Sequence, residues 1–324
     1  MVSGAIGSGS ADTAVGPMFQ STMKTLIFGG TGHLGRALHA LARARGPAYG
    51  YGRHHDIVDN GVINTLVDAH KPDLIIHAVQ SHNYIEAEYH PGMATALMGI
   101  SAQTVCRAAE KYDIPVIYVS SDMVFSGEKQ HILDARWEPY TEQDITGPIN
   151  AFGRAKRLGE VMTLRYPKGY IVRLAHLFGP FAYQGTNVVD HIIESALMDD
   201  QMVMRDDWVF SMTYNRDAAS LILDIVNQPP GIYHGNNEGA TTYFGLADFI
   251  YTFLSSKGQV KRTSNAEYAV PVPLCAAMTS SRIKNKPMWR NALIRYMNER
   301  GLIPPGSERW LSSYGLPAPT SRLD

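Results

Sequence analysis

The sequence predicts an α/β protein: a doubly wound parallel sheet followed by a smaller C-terminal substrate-covering domain. Three observations predict it. Short apolar runs recur at Lys24–Phe28, Leu74–Val79, Pro115–Ser120 and Tyr170–Ala175, unbroken as in strands buried on both faces. Stretches with helical spacing separate them. The first run ends directly in the glycine run Gly29-Gly30-Thr31-Gly32. Strand and helix alternating in this way place helices on both faces of a parallel sheet, and right-handed crossovers make it doubly wound.

The elements follow in order. Residues 1–22 are rich in Gly, Ser and Ala without apolar period and are expected to form a disordered tail or vector remnant. After the glycine run, Leu34, Ala37, Leu38 and Leu41 fall on one helix face. A second strand is expected to end near Tyr49–Gly52. Asp59 reads as the N-cap of a helix carrying Val62, Leu66 and Ala69, which Lys71-Pro72-Asp73 breaks. Met93–Tyr112 is helical by period, and Phe152–Tyr166 reads as helix. Past Gly179 the regularity fails, apart from a helix near Asp217–Val226 and a strand at Gly231–His234. The expected division is a nucleotide-binding domain over 23–178, to which segments near 213–236 return, and a mainly substrate-binding domain over 179–324.

Composition narrows the function. The chain has 324 residues, 29 Lys+Arg against 30 Asp+Glu, and a net charge of -1, which argues against nucleic-acid or membrane-surface binding by bulk charge. No apolar run approaches the roughly 18 residues of a membrane span. Two cysteines, Cys106 and Cys275, cannot build a disulfide framework, so a reducing, cytoplasmic setting is expected. Cys106 falls at an apolar helix position and reads as core.

Gly29, Gly32 and Gly35 stand as G-x-x-G-x-x-G between a strand and a helix. The first glycine permits a tight turn, the second lets backbone approach a pyrophosphate, and the third lets helix and strand pack closely. The helix N-terminus offers N–H groups and the positive end of its dipole. Thr31, His33 and Leu34 at this junction, and Ala78 at the end of the third strand, are the accompanying cofactor-contact candidates. After the second strand an acidic residue would bind the ribose 2′-OH of NAD, and an arginine would accommodate the 2′-phosphate of NADP. Arg53 stands there and no Asp or Glu does, so NADP(H) is expected over NAD(H). Asp56 is expected near the adenine.

Three further stretches carry a resemblance: Val116–Phe125 (VIYVSSDMVF), Pro139–Glu160 (PYTEQDITGPINAFGRAKRLGE) and Tyr170–Gly179 (YIVRLAHLFG). With the glycine loop they resemble the extended short-chain dehydrogenase/reductase superfamily, in particular its dTDP-4-dehydrorhamnose reductase type, from about Met23 to Asn237. The resemblance implies a Rossmann fold, NAD(P)H and hydride transfer to a carbonyl. It also implies a Ser/Thr that polarises the carbonyl, matched by Ser121. A Lys that holds the nicotinamide ribose and lowers the pKa of a proton-donating Tyr is matched by Lys156. The Tyr position itself is Phe152, which has no ionisable proton. The superfamily's helix asparagine aligns with Met98, the tyrosine after Ser/Thr-Asp with Met123, and the tryptophan of the substrate strand with His176. Extra residues lie near Gln130–Trp137. Ser121, Met123, Phe152 and His176 are therefore the expected substrate pocket. A homodimer is compatible with the resemblance.

His176, beside the expected substrate, and Tyr84, near a strand end facing the nicotinamide, are the candidate replacement proton donors. His82, Glu86 and His90 are spaced by four, but Asn83-Tyr84 and Pro91 suit a loop or short helix, and no metal is expected. The resulting expectation is an NADP-dependent reductase with an atypical site, acting on a carbonyl or imine of a nucleotide sugar or natural-product intermediate. The alternatives are a non-redox epimerase or dehydratase, and a non-catalytic NADP-binding regulatory protein.

Overall fold

A computed structural model describes residues 22–52, 57–81, 83–128, 138–181, 187–264, 267–304 and 308–314. The expectations for residues 1–21, Arg53, Asp56, His82 and Gln130–Trp137 lie outside them.

Six parallel strands form the main sheet, in the order β2-β1-β3-β4-β5-β9. They are β1 (Thr25–Phe28), β2 (Ala48–Tyr51), β3 (Leu74–His77), β4 (Val116–Ser121), β5 (Gly169–Leu174) and β9 (Gly231–His234). β1 is fully buried, and its alternate side chains feed different layers. Ile27 packs with Leu38 of α1 (His33–Arg45) and Ile222 of α8 (Asn215–Asp224). Leu26 and Phe28 pack with Ile63 of α2 (Asn60–His70) and Val105 of α5 (Ser101–Glu110). Apolar residues on both sides of each strand are thus the direct cause of helices on both faces. Phe28 pairs with Tyr51 on one side and His77 on the other. The chain therefore runs from β1 out to β2 on one side and then crosses back past β1 to β3 on the other. That reversal opens a crevice at the carboxyl ends of β1 and β3, the place where such sheets bind ligands.

One local expectation is corrected and another is refined. Asp59 does cap α2, accepting from Gly61 N at 2.6 Å, but the buried residues are Ile63 and Val67, while Ala69 is exposed. The cap and the docking against the sheet set the helix phase one residue on. Residues 93–110 are helical without interruption, as the period predicts, but the helix is not regular throughout. α4 (Pro91–Ala94) passes into a π-helical turn at Thr95–Ile100 before α5. This turn crosses α6 (Ala151–Leu164) at close range: a Cβ on Gly159 would stand 2.5 Å from the Met98 carbonyl oxygen.

The remaining described elements build the second layer around the crevice. They include β6 (His176–Phe178) paired with β8 (Met212–Tyr214), β7 (Met202–Arg205) paired with β10 (Val260–Thr263), and the helices α3 (Tyr84–Tyr89), α7 (Val188–Leu197), α9 (Tyr243–Leu254), α10 (Trp289–Glu299) and α11 (Glu308–Ser313). One apolar cluster joins α7, α9 and α10 to Met123 and Phe152. These elements thus pack against the part of the sheet that carries Met123 and Phe152. Among the described residues, no helix is long and apolar enough to cross a membrane.

Candidate active site

The glycine cradle lies at the crevice. Gly29 has φ +85°, and a Cβ there would stand 2.4 Å from the Ala78 carbonyl oxygen, so the turn and the end of β3 are in contact. A Cβ on Gly35 would stand 2.0 Å from the Gly29 oxygen, which docks α1 on the loop. Gly32 differs. It is exposed, and a Cβ there would meet only the Gly29 oxygen, at 3.3 Å. It is also the N-cap of α1, with no side chain to cap the helix. The first amides of α1 thus remain available to an anion, which fits a pyrophosphate.

Of the neighbouring candidates, Leu34 turns its side chain into the core and can offer only backbone. His33 Nε2 pairs with Gly179 O at 3.1 Å, tying α1 to the loop after β6, and burial lowers its pKa. Thr31 is exposed beside Gly52, whose Cβ would lie 2.1 Å from Thr31 Oγ1, so the segment that continues into Arg53 starts at the cradle.

Asn150 caps α6, accepting from Gly153 N at 2.8 Å, and so fixes the phase of the residues that follow. Phe152 and Lys156, one turn apart, are both buried. The Lys156 ammonium donates to Val119 O on β4 at 2.9 Å and to Val79 O just past β3 at 3.1 Å. It also lies 5.8 Å from the centre of the Phe152 ring. A lysine has three N–H donors, and these carbonyls use two. Burial pulls its pKa down to about 7, partly offset by Glu160. Glu160 is itself held in a buried pair, accepting from Arg173 Nε at 2.7 Å and from Ser120 Oγ at 2.7 Å, and this bolts α6 to β4 and β5.

Ser121 ends β4 and donates to Asp122 Oδ1 at 2.8 Å while accepting from Met123 N at 3.2 Å. Asp122 is only 4% exposed, and no cation pairs with it among the described residues. Burial raises its carboxyl pKa to about 7, against the opposing hydrogen bonds from Ser121 and from the backbone amides of Met123 and Asp122.

The substrate side is aromatic. His176 Nε2 meets the Tyr243 hydroxyl at 2.9 Å, and its ring stacks on Phe210 with centroids 4.0 Å apart. Burial alone lowers the His176 pKa to about 4, and mainly burial raises that of Tyr243. Both are therefore neutral around pH 7. Trp208 meets His176, Tyr243, Tyr84 and Tyr268 edge-on, and its buried indole N–H has no partner among the described residues. Tyr84 packs here by its ring, and burial raises its phenol pKa.

The structure thus brings Ser121, Met123, Phe152, Lys156, His176 and Tyr84 to the crevice and its aromatic wall. Glu86 and His90 are exposed, and no group of three or more His, Cys, Asp or Glu among the described residues could hold a metal. Cys106 is buried core, with its thiol pKa pushed up to about 12 by burial. Sequence reasoning missed Asp122, Trp208 and Tyr243. Asp122 stands inside the quoted VIYVSSDMVF stretch beside Ser121 and was legible there. Trp208 and Tyr243 reach the site only through folding and carry no local signal.

Comparison with known proteins places this arrangement. The family model described as "RmlD substrate binding domain" matches residues 23–301. The chain is 31% identical over 286 residues to a dTDP-4-dehydrorhamnose reductase of Streptomyces griseus, covering 83% of this chain and 91% of that one. It is 29% identical over 242 residues to methionine adenosyltransferase 2 subunit beta of Xenopus tropicalis, covering 68% and 69%. The crystal structure of dTDP-4-dehydrorhamnose reductase from Bacillus anthracis in complex with NADP superposes with a TM-score of 0.77 at 25% identity, covering 86% of this chain and 99% of that one.

Proposed function

The chain belongs to the RmlD substrate binding domain family of dTDP-4-dehydrorhamnose reductase-like extended short-chain dehydrogenase/reductases, and from that premise we propose that it is an NADP(H)-dependent reductase acting on a carbonyl or imine of a nucleotide sugar or related intermediate. The observation that carries this reading is the meeting at one crevice of the uncapped α1 N-terminus, the buried Lys156 and the Ser121–Asp122 pair. When bound, NADPH supplies a hydride. The Gly32 turn and the α1 amides hold its pyrophosphate, Lys156 its ribose hydroxyls, and Arg53 its 2′-phosphate. Ser121 hydrogen-bonds the substrate oxygen, and the wall of His176, Tyr243 and Trp208 orients the sugar. Phe152 stands where the family's proton-donating tyrosine stands, so the proton comes from elsewhere or the substrate is an imine already protonated.

One observation favours a second reading. A phenylalanine donates no proton, and with one relative named as subunit beta of methionine adenosyltransferase 2, a non-catalytic NADP-binding module is the alternative. Titration calorimetry with NADPH, followed by NADPH consumption against nucleotide-sugar ketones and a panel of imines, separates the two. Binding with consumption of at least one substrate is expected. Tight binding with no consumption across the panel establishes the module instead.

Two variants test the cofactor assignments. Arg53→Ala is expected to weaken NADPH by about 1–3 kcal/mol and to leave NADH nearly unchanged, since a charge-assisted bond to phosphate is lost. Equal loss for both removes Arg53 from the 2′-phosphate. Lys156→Ala is expected to weaken NADPH roughly tenfold or more, because the ribose contact needs no phenol. Unchanged affinity and unchanged activity would leave Lys156 a structural strut between β3 and β4.

A further inference from the structure

We propose that Asp122 is the proton reservoir of the reduction and delivers its proton through Ser121 to the substrate oxygen. This rests on the reductase reading above and supplies the donor that Phe152 cannot be.

The geometry carries the assignment. Asp122 is buried at the carboxyl end of β4, with Ser121 Oγ 2.8 Å from its Oδ1. That one line serves both directions of transfer. With Asp122 ionised, the serine hydroxyl donates to the carboxylate. With Asp122 protonated, the acid donates to Ser121 Oγ, and the serine's own proton is freed to point into the crevice. Met123 N fixes the serine oxygen from behind at 3.2 Å, so the hydroxyl has little choice beyond these two orientations.

Besides Ser121, the backbone amides of Met123 and Asp122 itself favour the ionised carboxylate, and burial outweighs all three; no cation pairs with it among the described residues. From α6, the Lys156 ammonium is turned to Val79 O and Val119 O. From α9, the Tyr243 phenol faces the carboxylate but is committed to His176 Nε2, and both rings stay neutral around pH 7. A carboxyl group buried without a cation keeps its proton far above the ordinary carboxylate range, and here the midpoint falls at about 7. A donor whose midpoint lies near the working pH is the effective one. His176 is too weak a base to carry a proton at neutrality, and burial makes Tyr84 and Tyr243 weaker acids than a free phenol.

The step balances. The carbonyl carbon receives the hydride with its electron pair, and the C=O π pair moves to oxygen. The oxygen takes the Ser121 proton, Ser121 takes the Asp122 proton, and the resulting carboxylate regains a proton from solvent. Ketone, NADPH and one proton become alcohol and NADP⁺.

The sign of the pH dependence follows. The active form is protonated Asp122, so the rate is full below the midpoint and falls as pH rises through about 7. The test uses the full-length protein and Asp122→Asn, which keeps shape but cannot donate an acidic proton. Infrared difference spectra of parent against variant, without substrate, are expected to show a protonated carboxyl at about pH 6 that is lost by about pH 8.5. Asp122→Asn is expected to lower kcat by about 10²–10⁴-fold and to remove the alkaline limb, while NADPH affinity by calorimetry stays within about twofold. A carboxylate already ionised at about pH 5 overturns the assignment whatever the activity. A variant that reduces substrate at the parent rate with the parent pH profile overturns it while leaving the reductase reading standing. A parent that binds NADPH but reduces nothing overturns both.

Discussion

Replacing Gly35 by alanine is expected to abolish measurable NADPH binding and to lower the melting temperature. The added methyl would stand 2.0 Å from the Gly29 oxygen and 2.8 Å from the Gly30 Cα. Both are backbone atoms of the turn itself, so no side chain can move aside. Either α1 withdraws from the loop or the turn opens, and in both cases the amides proposed to hold the pyrophosphate lose their common focus. Gly32→Ala is the companion measurement. Its methyl meets only the Gly29 oxygen, at 3.3 Å, so the fold is expected to survive while NADPH weakens as the methyl takes phosphate space. Calorimetry and thermal unfolding on both variants read the difference. Normal NADPH affinity in Gly32→Ala would place the phosphates elsewhere.

Phe152→Tyr is the second large effect. Residue 152 precedes Lys156 by one helical turn, and Lys156 Nζ lies 5.8 Å from the ring centre, so a phenol there would stand beside that amine. On the proposed account the parent loses rate above about pH 7 as Asp122 ionises, whereas a phenol remains protonated at higher pH. The variant is therefore expected to match the parent at about pH 6 and to exceed it by roughly 10–10²-fold at about pH 9, within the range general acid catalysis supplies. No gain at any pH, with NADPH binding intact, would show that position 152 does not face the reacting oxygen.

How far the sequence could be read depended on whether a feature is local. The strands were legible because burial on both faces leaves an unbroken apolar run, as in Leu74–His77. The glycine cradle was legible because its three positions are sequential. The helical stretch around residues 93–110 was legible from its period, but the π-helical turn within it was not, because it lies against α6 at Gly159, far away in sequence. In the candidate site, the proximity of Phe152 and Lys156 was readable from their spacing of one helical turn. The His176–Tyr243 pair and the edge contacts of Trp208 join residues from β6, α9 and the segment before β8, and no periodicity connects them. Asp122 was visible in its stretch, but its chemistry comes from burial without a cation, which only the fold decides.

The most direct measurement is single-turnover reaction of the purified protein with NADPH carrying deuterium at its transferable position and dTDP-4-dehydrorhamnose, followed by mass spectrometry of the sugar nucleotide. Deuterium on the carbon that bears the new hydroxyl is the predicted result, with NADP⁺ formed in equal amount. NADPH that remains bound and unreacted, with no deuterium in dTDP-4-dehydrorhamnose or in any other nucleotide-sugar ketone or imine tried, would contradict the account.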